Sequence, residues 1–174
     1  IRELKPSSFP ELAAMVALYR PGPKQHLPSF IRAKHGLEPI HFPHPTLADI
    51  LKETYGVIVY QDQVLLIVQA FAGYSLGQAD VVRKAMGKKI PEIMAEEQER
   101  FIAGAESKGF SRKLAEDIFR LIAPFAGYAF NKAHAVSYAM LAYKTAYLKA
   151  NYPVEFMTAL LTINMERQDK IASA

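Results

Sequence analysis

Only one run in this 174-residue chain, Tyr55-Gly56-Val57-Ile58-Val59-Tyr60, has the β-branched and aromatic character of a strand, and it is short. A single strand leaves its backbone donors and acceptors without a neighbour, so a sheet cannot organise the fold. The core has to come from helices. Ser8, with Pro10 and Glu11 behind it, reads as an N-cap and first turn and predicts a helix from Phe9 to about Tyr19. Arg20-Pro21-Gly22-Pro23 stops it. Residues 24–45 are rich in Pro, His and Gly and predict an irregular surface connection, with a short helix near 29–34 and a helical turn near 47–53.

Beyond the β-like run, the segments 61–71, 75–86, 91–107, 111–125, 131–151 and 153–164 all read as helices. Ser75 and Gln78 form a capping box, Ser111 caps a later helix, and Arg112, Glu116 and Arg120 make an i, i+4 ladder along it. The expected architecture is a single mainly α domain over residues 1–174, with about seven or eight helices and at most a small β element. Its Pro-rich part over 1–60 is irregular and its part over 61–174 is helical.

Half of the residues (51%) are hydrophobic, which suits a globular core rather than disorder. The absence of cysteine excludes disulfides and thiolate metal sites and makes the cytoplasm the natural compartment. No apolar run approaches the roughly 20 residues of a membrane span. The charged opening Ile1-Arg2-Glu3-Leu4-Lys5 does not resemble a signal peptide, and starting on Ile suggests an excerpt from a longer polypeptide. A net charge of +4 permits a nucleic-acid or phosphate partner without demanding one. The charge is patchy: Arg83, Lys84, Lys88 and Lys89 cluster, Arg20, Lys24, Arg32 and Lys34 lie in the first quarter, and Glu92 to Glu106 is acidic.

Polar chemistry concentrates in Gly127-Tyr128-Ala129-Phe130-Asn131-Lys132-Ala133-His134, where a loop becomes a helix. Free N–H groups and the helix dipole suit an anion there. Along that helix Val136, Met140, Tyr143 and Tyr147, with Ala139 and Ala146, form one seam expected to be buried. His134, Tyr138, Thr145 and Lys149 form a second stripe within about 60° of arc. Either that stripe is a ligand face, or His134 and Tyr138 are ordinary half-buried residues with local partners.

The second constellation follows Asp80. Val81, Val82, Ala85 and Met86 are expected to face inward, with Asp80, Arg83 and Lys84 outward and Gly87 ending the helix so that Lys88 and Lys89 approach closely. These cations either converge on a phosphate or complement the negative end of the helix dipole. His26, His35, His41 and His44 lack a completing carboxylate, and no Walker-type loop is present. The five aspartates (49, 62, 80, 117, 169) are too scattered for a two-metal centre.

Several of these stretches agree, in order, with one family. They are Ala17-Leu18-Tyr19-Arg20-Pro21-Gly22-Pro23, Glu53-Thr54-Tyr55-Gly56-Val57-Ile58-Val59-Tyr60-Gln61-Asp62-Gln63 and Ala72-Gly73-Tyr74-Ser75-Leu76-Gly77-Gln78-Ala79-Asp80. To these add Arg83-Lys84-Ala85-Met86-Gly87-Lys88-Lys89, the 127–134 stretch, and Ala146-Tyr147-Leu148-Lys149 with Tyr152-Pro153 and Glu155-Phe156. Together they resemble the fingers domain of the C-family polymerases, the alpha subunit of bacterial replicative DNA polymerase III. Departures are mild: Lys24 stands where an apolar residue is common, Asp62 where Glu is usual, and Lys84 where Arg is frequent.

The resemblance implies a helical unit of a DNA-directed DNA polymerase, a nucleotidyltransferase that closes over the incoming dNTP and primer-template during bacterial chromosome replication. It implies Mg2+ held by aspartates of a palm domain outside this chain, none bound here, and an isolated chain without activity. Arg83, Lys84, Lys88, Asn131, Lys132 and His134 would meet the triphosphate, and Arg20, Tyr128 and Tyr138 would stack on or contact DNA. Partners would include the palm and other domains of the same polypeptide. The sliding clamp and other replisome subunits would bind through regions not present here, and no membrane is involved. The residues without the resemblance leave two rivals, a stand-alone helical nucleic-acid-binding module and a protein-interaction module.

Overall fold

The computed structural model describes residues 1–88, 91–126 and 129–167, with side chains at all of these except 85–88, 91 and 126. Nine α-helices run through them, slightly more than the sequence predicts: α1 (Phe9–Leu18), α2 (Leu27–Lys34), α3 (Pro45–Leu51), α4 (Gln61–Ala72), α5 (Leu76–Lys88), α6 (Pro91–Ser107), α7 (Arg112–Ala126), α8 (Lys132–Asn151) and α9 (Pro153–Ile163). Short 3-10 turns fill Pro23–His26 and Lys52–Thr54. Two compact units divide the chain, Ile1–Val136 and Ser137–Ala174.

The β-like run does not become a strand. Tyr55 and Gly56 both adopt positive φ (53° and 83°), which turns the chain where a strand would extend it. The backbone that follows is buried, so its polar groups need other partners. Gln63 Oε1 accepts from the N–H of Val59 (2.8 Å) and of Tyr60 (3.0 Å). The Gln63 amide nitrogen donates to Thr54 Oγ1 at 2.8 Å. Phe130 N–H donates to Val59 O and Gln61 N–H to Phe130 O, both at 2.9 Å. This single parallel bridge between Tyr60 and Phe130 is the β element among the described residues.

α4 is the central helix of the first unit. Val64, Ile67, Val68 and Phe71 recur at helical spacing and are fully buried, against α3, α5, α6 and α7. Each such side chain contributes about 1.5–3 kcal/mol relative to exposure. α6 and α7 complete the core with Phe101, Ile102, Ala105, Ile118, Phe119 and Ile122. α6 comes close to the end of α4 because residue 104 is glycine: a Cβ there would lie 2.6 Å from Ala72 O. The predicted capping box closes as expected, Ser75 N–H to Gln78 Oε1 at 2.9 Å and Gln78 N–H to Ser75 Oγ at 3.3 Å. Ser111 Oγ accepts from Leu114 N–H. The ladder on α7 forms only in part: Arg112 meets Glu116 at 3.3 Å, whereas Arg120 turns to Asp117 at 3.4 Å.

Two packing expectations are corrected. Val81 is 61% exposed while Val82 is buried, because among the described side chains of α5 it is the Ala79–Val82 edge that meets the core; Ala85 and Met86, also expected to face inward, lie outside the described side chains. In the second unit, the expected seam on α8 is not buried beyond Ala139: every residue from 140 to 155 is exposed, Met140, Tyr143 and Tyr147 included. Among the described residues of that unit the helices are the rest of α8 and α9, and none of the residues of α9 is buried, so no described element covers the seam. No single helix among the described residues is long and apolar enough to cross a membrane. The α4–α5 pair passes that test only jointly, bent by 117°.

The N-terminal segment is held by a buried acid. Glu11 Oε2 accepts from Ser7 N–H (2.7 Å) and pairs with Lys34 Nζ (3.2 Å), while Oε1 accepts from Tyr55 Oη (2.6 Å). Lys34 also donates to the carbonyls of Leu4 and Lys5. Burial alone would raise the Glu11 pKa. The Tyr55 and Ser7 hydrogen bonds and Lys34 outweigh it and hold the carboxyl down from 4.5 to about 2. A depressed carboxyl stabilises the fold above its unfolded pKa and loses that contribution as pH falls from 4.5 through about 2. Glu11→Gln should therefore cost about 3 kcal/mol at neutral pH. Urea melts across the acid range should show the gap to wild type narrowing as pH falls; a constant gap would contradict this role.

Candidate functional site

The bridge between Tyr60 and Phe130 sets the starts of α4 and α8 side by side. Asn131 is the N-cap of α8, its Oδ1 accepting from His134 N–H at 2.9 Å. Part of the polar concentration in this stretch is thus the cap itself. Around Phe130 the cations and rings gather. The Arg20 guanidinium lies over the Phe130 ring at 4.5 Å, and its Nε donates to Ala17 O at 2.6 Å. The His134 imidazole meets the same ring nearly edge-on, at 5.3 Å and 71°. Lys132 reaches back to Glu53 Oε2 at 2.8 Å and lies 5.4 Å from the centre of the Tyr60 ring.

Four predicted residues, Arg20, Asn131, Lys132 and His134, are therefore brought to one joint from parts of the chain more than a hundred residues apart. Beside it opens a cleft with largely apolar walls, including Leu18, Pro23, Ile58, Val59, Phe125 and Ala129. Tyr138 belongs to the second unit and is 53% exposed. Tyr128 lies outside the described residues, and so does the side chain of Lys88.

The second constellation sits on α5. Arg83 donates through Nε and Nη2 to Asp80 Oδ1 at 3.1 and 2.9 Å, and Lys84 Nζ meets Asp80 Oδ2 at 2.7 Å. Hydrogen bonds from Lys84 and then Arg83 hold the Asp80 pKa below the ordinary carboxylate value. One carboxylate thus fixes two cations on the same face, with Arg83 half-buried.

The remaining basic residues of the first quarter have other partners: Arg32 pairs with Glu38 at 2.7 Å, and Lys24 lies over the Tyr19 ring at 5.0 Å. Three of the other histidines have local packing or hydrogen-bond partners. His44 caps α3, its Nδ1 accepting from Thr46 N–H at 3.2 Å, and its ring packs on Phe71 and Phe110. His26 packs on Phe125, and His35 lies 3.0 Å from Glu3 O.

Among the described residues no group of three or more His, Asp or Glu is placed to hold a metal. The described carboxylates are not grouped as a two-magnesium centre would need. Residues missed from sequence are Phe130 as the platform, and Glu53 and Tyr60 as neighbours of Lys132. Glu53 is 79 positions from Lys132, and no local spacing rule connects them.

The described residues thus form a helical unit that carries two carboxylate-tethered cation groups and an aromatic platform. The family model for the bacterial DNA polymerase III alpha subunit finger domain matches residues 1–109, and the chain belongs to that family. It is 54% identical over 171 residues to DNA polymerase III subunit alpha of Campylobacter jejuni, 50% over 172 to that of Borreliella burgdorferi and 49% over 177 to that of Thermus aquaticus. These alignments cover 97–99% of this chain and only 14–15% of the relatives' length.

The cap makes a separable prediction. Asn131→Ala should lower stability by about 1 kcal/mol, while Asn131→Ser, which caps as well, should lose much less. Thermal melts of the two variants compare them directly, and equal melting points would remove the capping role.

Proposed function

We propose that this chain is the nucleotide- and template-gripping part of a replicative DNA polymerase, acting during bacterial chromosome replication. The observation that carries the reading is the convergence of Arg20 and His134 on the Phe130 ring at the start of α8, with Lys132 near the Tyr60 ring across the same bridge, in a chain of this family. Lys132, His134 and the N–H groups at the start of α8 are suited to triphosphate oxygens. Arg20 and the ring it covers are suited to the flat face of a base or to the primer-template backbone, with Tyr138 and Tyr128 as further stacking candidates. Arg83 and Lys84, with Lys88, would meet the β- and γ-phosphates as charge develops on leaving pyrophosphate.

The metal-holding aspartates then belong to a palm domain elsewhere in the polypeptide, and the chain by itself is inactive. DNA primer-template and dNTP are the ligands. The exposed apolar residues of α8 and α9, among them Tyr147, Leu148, Val154 and Ile163, favour the palm or other domains of the same polypeptide as further contacts. The sliding clamp and other replisome subunits engage through parts outside this chain.

In the full-length polymerase, Arg83→Ala should lower kcat/KM for correct incorporation about a hundredfold, which is roughly 2.7 kcal/mol of transition-state binding. Single-nucleotide extension with varied dNTP measures it, and an unchanged kcat/KM would remove Arg83 from the phosphate site. The purified 174-residue chain should extend no primer with any divalent metal. Extension by that chain would place the catalytic residues inside it.

A further inference from the structure

Tyr60 is 1% exposed, and among the described residues its hydroxyl has no hydrogen-bond partner. A phenol buried this way is costly, and phenylalanine would fill the same space without that cost. The hydroxyl belongs to the ring whose centre lies 5.4 Å from the Lys132 ammonium, and the Glu53 carboxylate is held 2.8 Å from that same ammonium. Burial, and then the negative field of Glu53, push the Tyr60 ionisation upward, so the group stays a donor. Glu53 and Lys132 each keep 38% of their side chains exposed, so an anion from solvent can reach the pair.

The backbone under Glu53 is fixed: Thr54, next in the chain, is buried, donates to Val57 O at 2.6 Å and accepts from Gln63 at 2.8 Å. Only the Glu53 side chain is left to change partners.

We propose that Glu53 and Tyr60 are positioning residues for Lys132 and exchange partners when an anion binds. In the unliganded state Glu53 holds the ammonium in place. A phosphate oxygen then takes the ammonium, and the displaced carboxylate accepts the Tyr60 hydroxyl. The exchange gives the displaced carboxylate a hydrogen-bond donor and satisfies in the bound state the Tyr60 hydroxyl that is orphaned in the free state. Glu53 thereby sets how tightly Lys132 takes an anion, and Tyr60 lowers the cost of displacing it. This rests on the reading of Lys132 as a triphosphate ligand.

The test uses full-length polymerase and the dNTP dependence of single-turnover incorporation. Tyr60→Phe should weaken dNTP affinity about tenfold, the worth of one charge-assisted hydrogen bond, without lowering the melting temperature of the free enzyme. Glu53→Gln should tighten affinity, because the competitor for the ammonium is weakened. The double variant should match Glu53→Gln alone, since Tyr60 acts only through Glu53. Unchanged affinity in Tyr60→Phe, or two effects that simply add, would overturn the exchange and leave the pair a static clamp. Lys132→Ala separates the two levels. Normal affinity in that variant would sink the phosphate reading itself, whereas weakened affinity beside a silent Tyr60→Phe would sink only the exchange.

Discussion

Two consecutive residues, Val59 and Tyr60, run buried with no sheet among the described residues to receive them, and the first unit is arranged around that problem. Buried amides left unpaired would cost more than the surrounding packing could offset. One glutamine and one loop residue take up these groups: the Gln63 side chain accepts two N–H groups, and the Phe130 backbone both donates and accepts. The same bonds fix where α4 begins and where the chain enters α8. They also place Phe130 under Arg20 and bring Lys132 back over Tyr60. The joint is thus a by-product of satisfying the backbone, and its precision is that of a buried hydrogen-bond network rather than of a surface loop.

The described cations proposed to meet phosphate already have partners in this structure. Lys132 has Glu53, Arg83 and Lys84 share Asp80, and Arg20 lies on an aromatic face. A field of unpaired lysines would bind polyanions indiscriminately. A tethered cation keeps its direction before the ligand arrives, and the ligand must present enough charge to replace a carboxylate. That favours a triphosphate over a single phosphodiester.

Much of this fold was legible because its helices are locally announced. Ser75 with Gln78, Ser111, Pro91 and Pro153 each mark a helix start whose chemistry lies within three residues. The failures share the opposite property. The β-like run reads as a strand by composition, yet Tyr55 and Gly56 turn it, and its true partners, Gln63 and Phe130, follow from tertiary placement. The α8 seam has the right periodicity for burial, but periodicity says only which face would be covered, not whether a covering element exists. At the site, sequence found the cations and missed what holds them. From sequence Asn131 reads as ligand chemistry and in the structure it serves at least as a cap, a role that an Asn just before a helix does carry. The Glu53–Lys132 pair has no such local trace.

The sharing of Asp80 between Arg83 and Lys84 also bears on how binding would respond to ionic strength. Polyelectrolyte binding is salt-sensitive because mobile ions are set free when opposite charges meet. A cation whose neighbour is a covalently attached carboxylate draws few mobile anions, so replacing that neighbour releases little into solution. An anion site built on such pairs would keep its grip over a range of salt in which a bare lysine patch lets go. On the proposed function, a small, highly charged ligand is held beside a long polyanion, and such a site would separate the two: the long polymer would be loosened by salt while the small ligand stays.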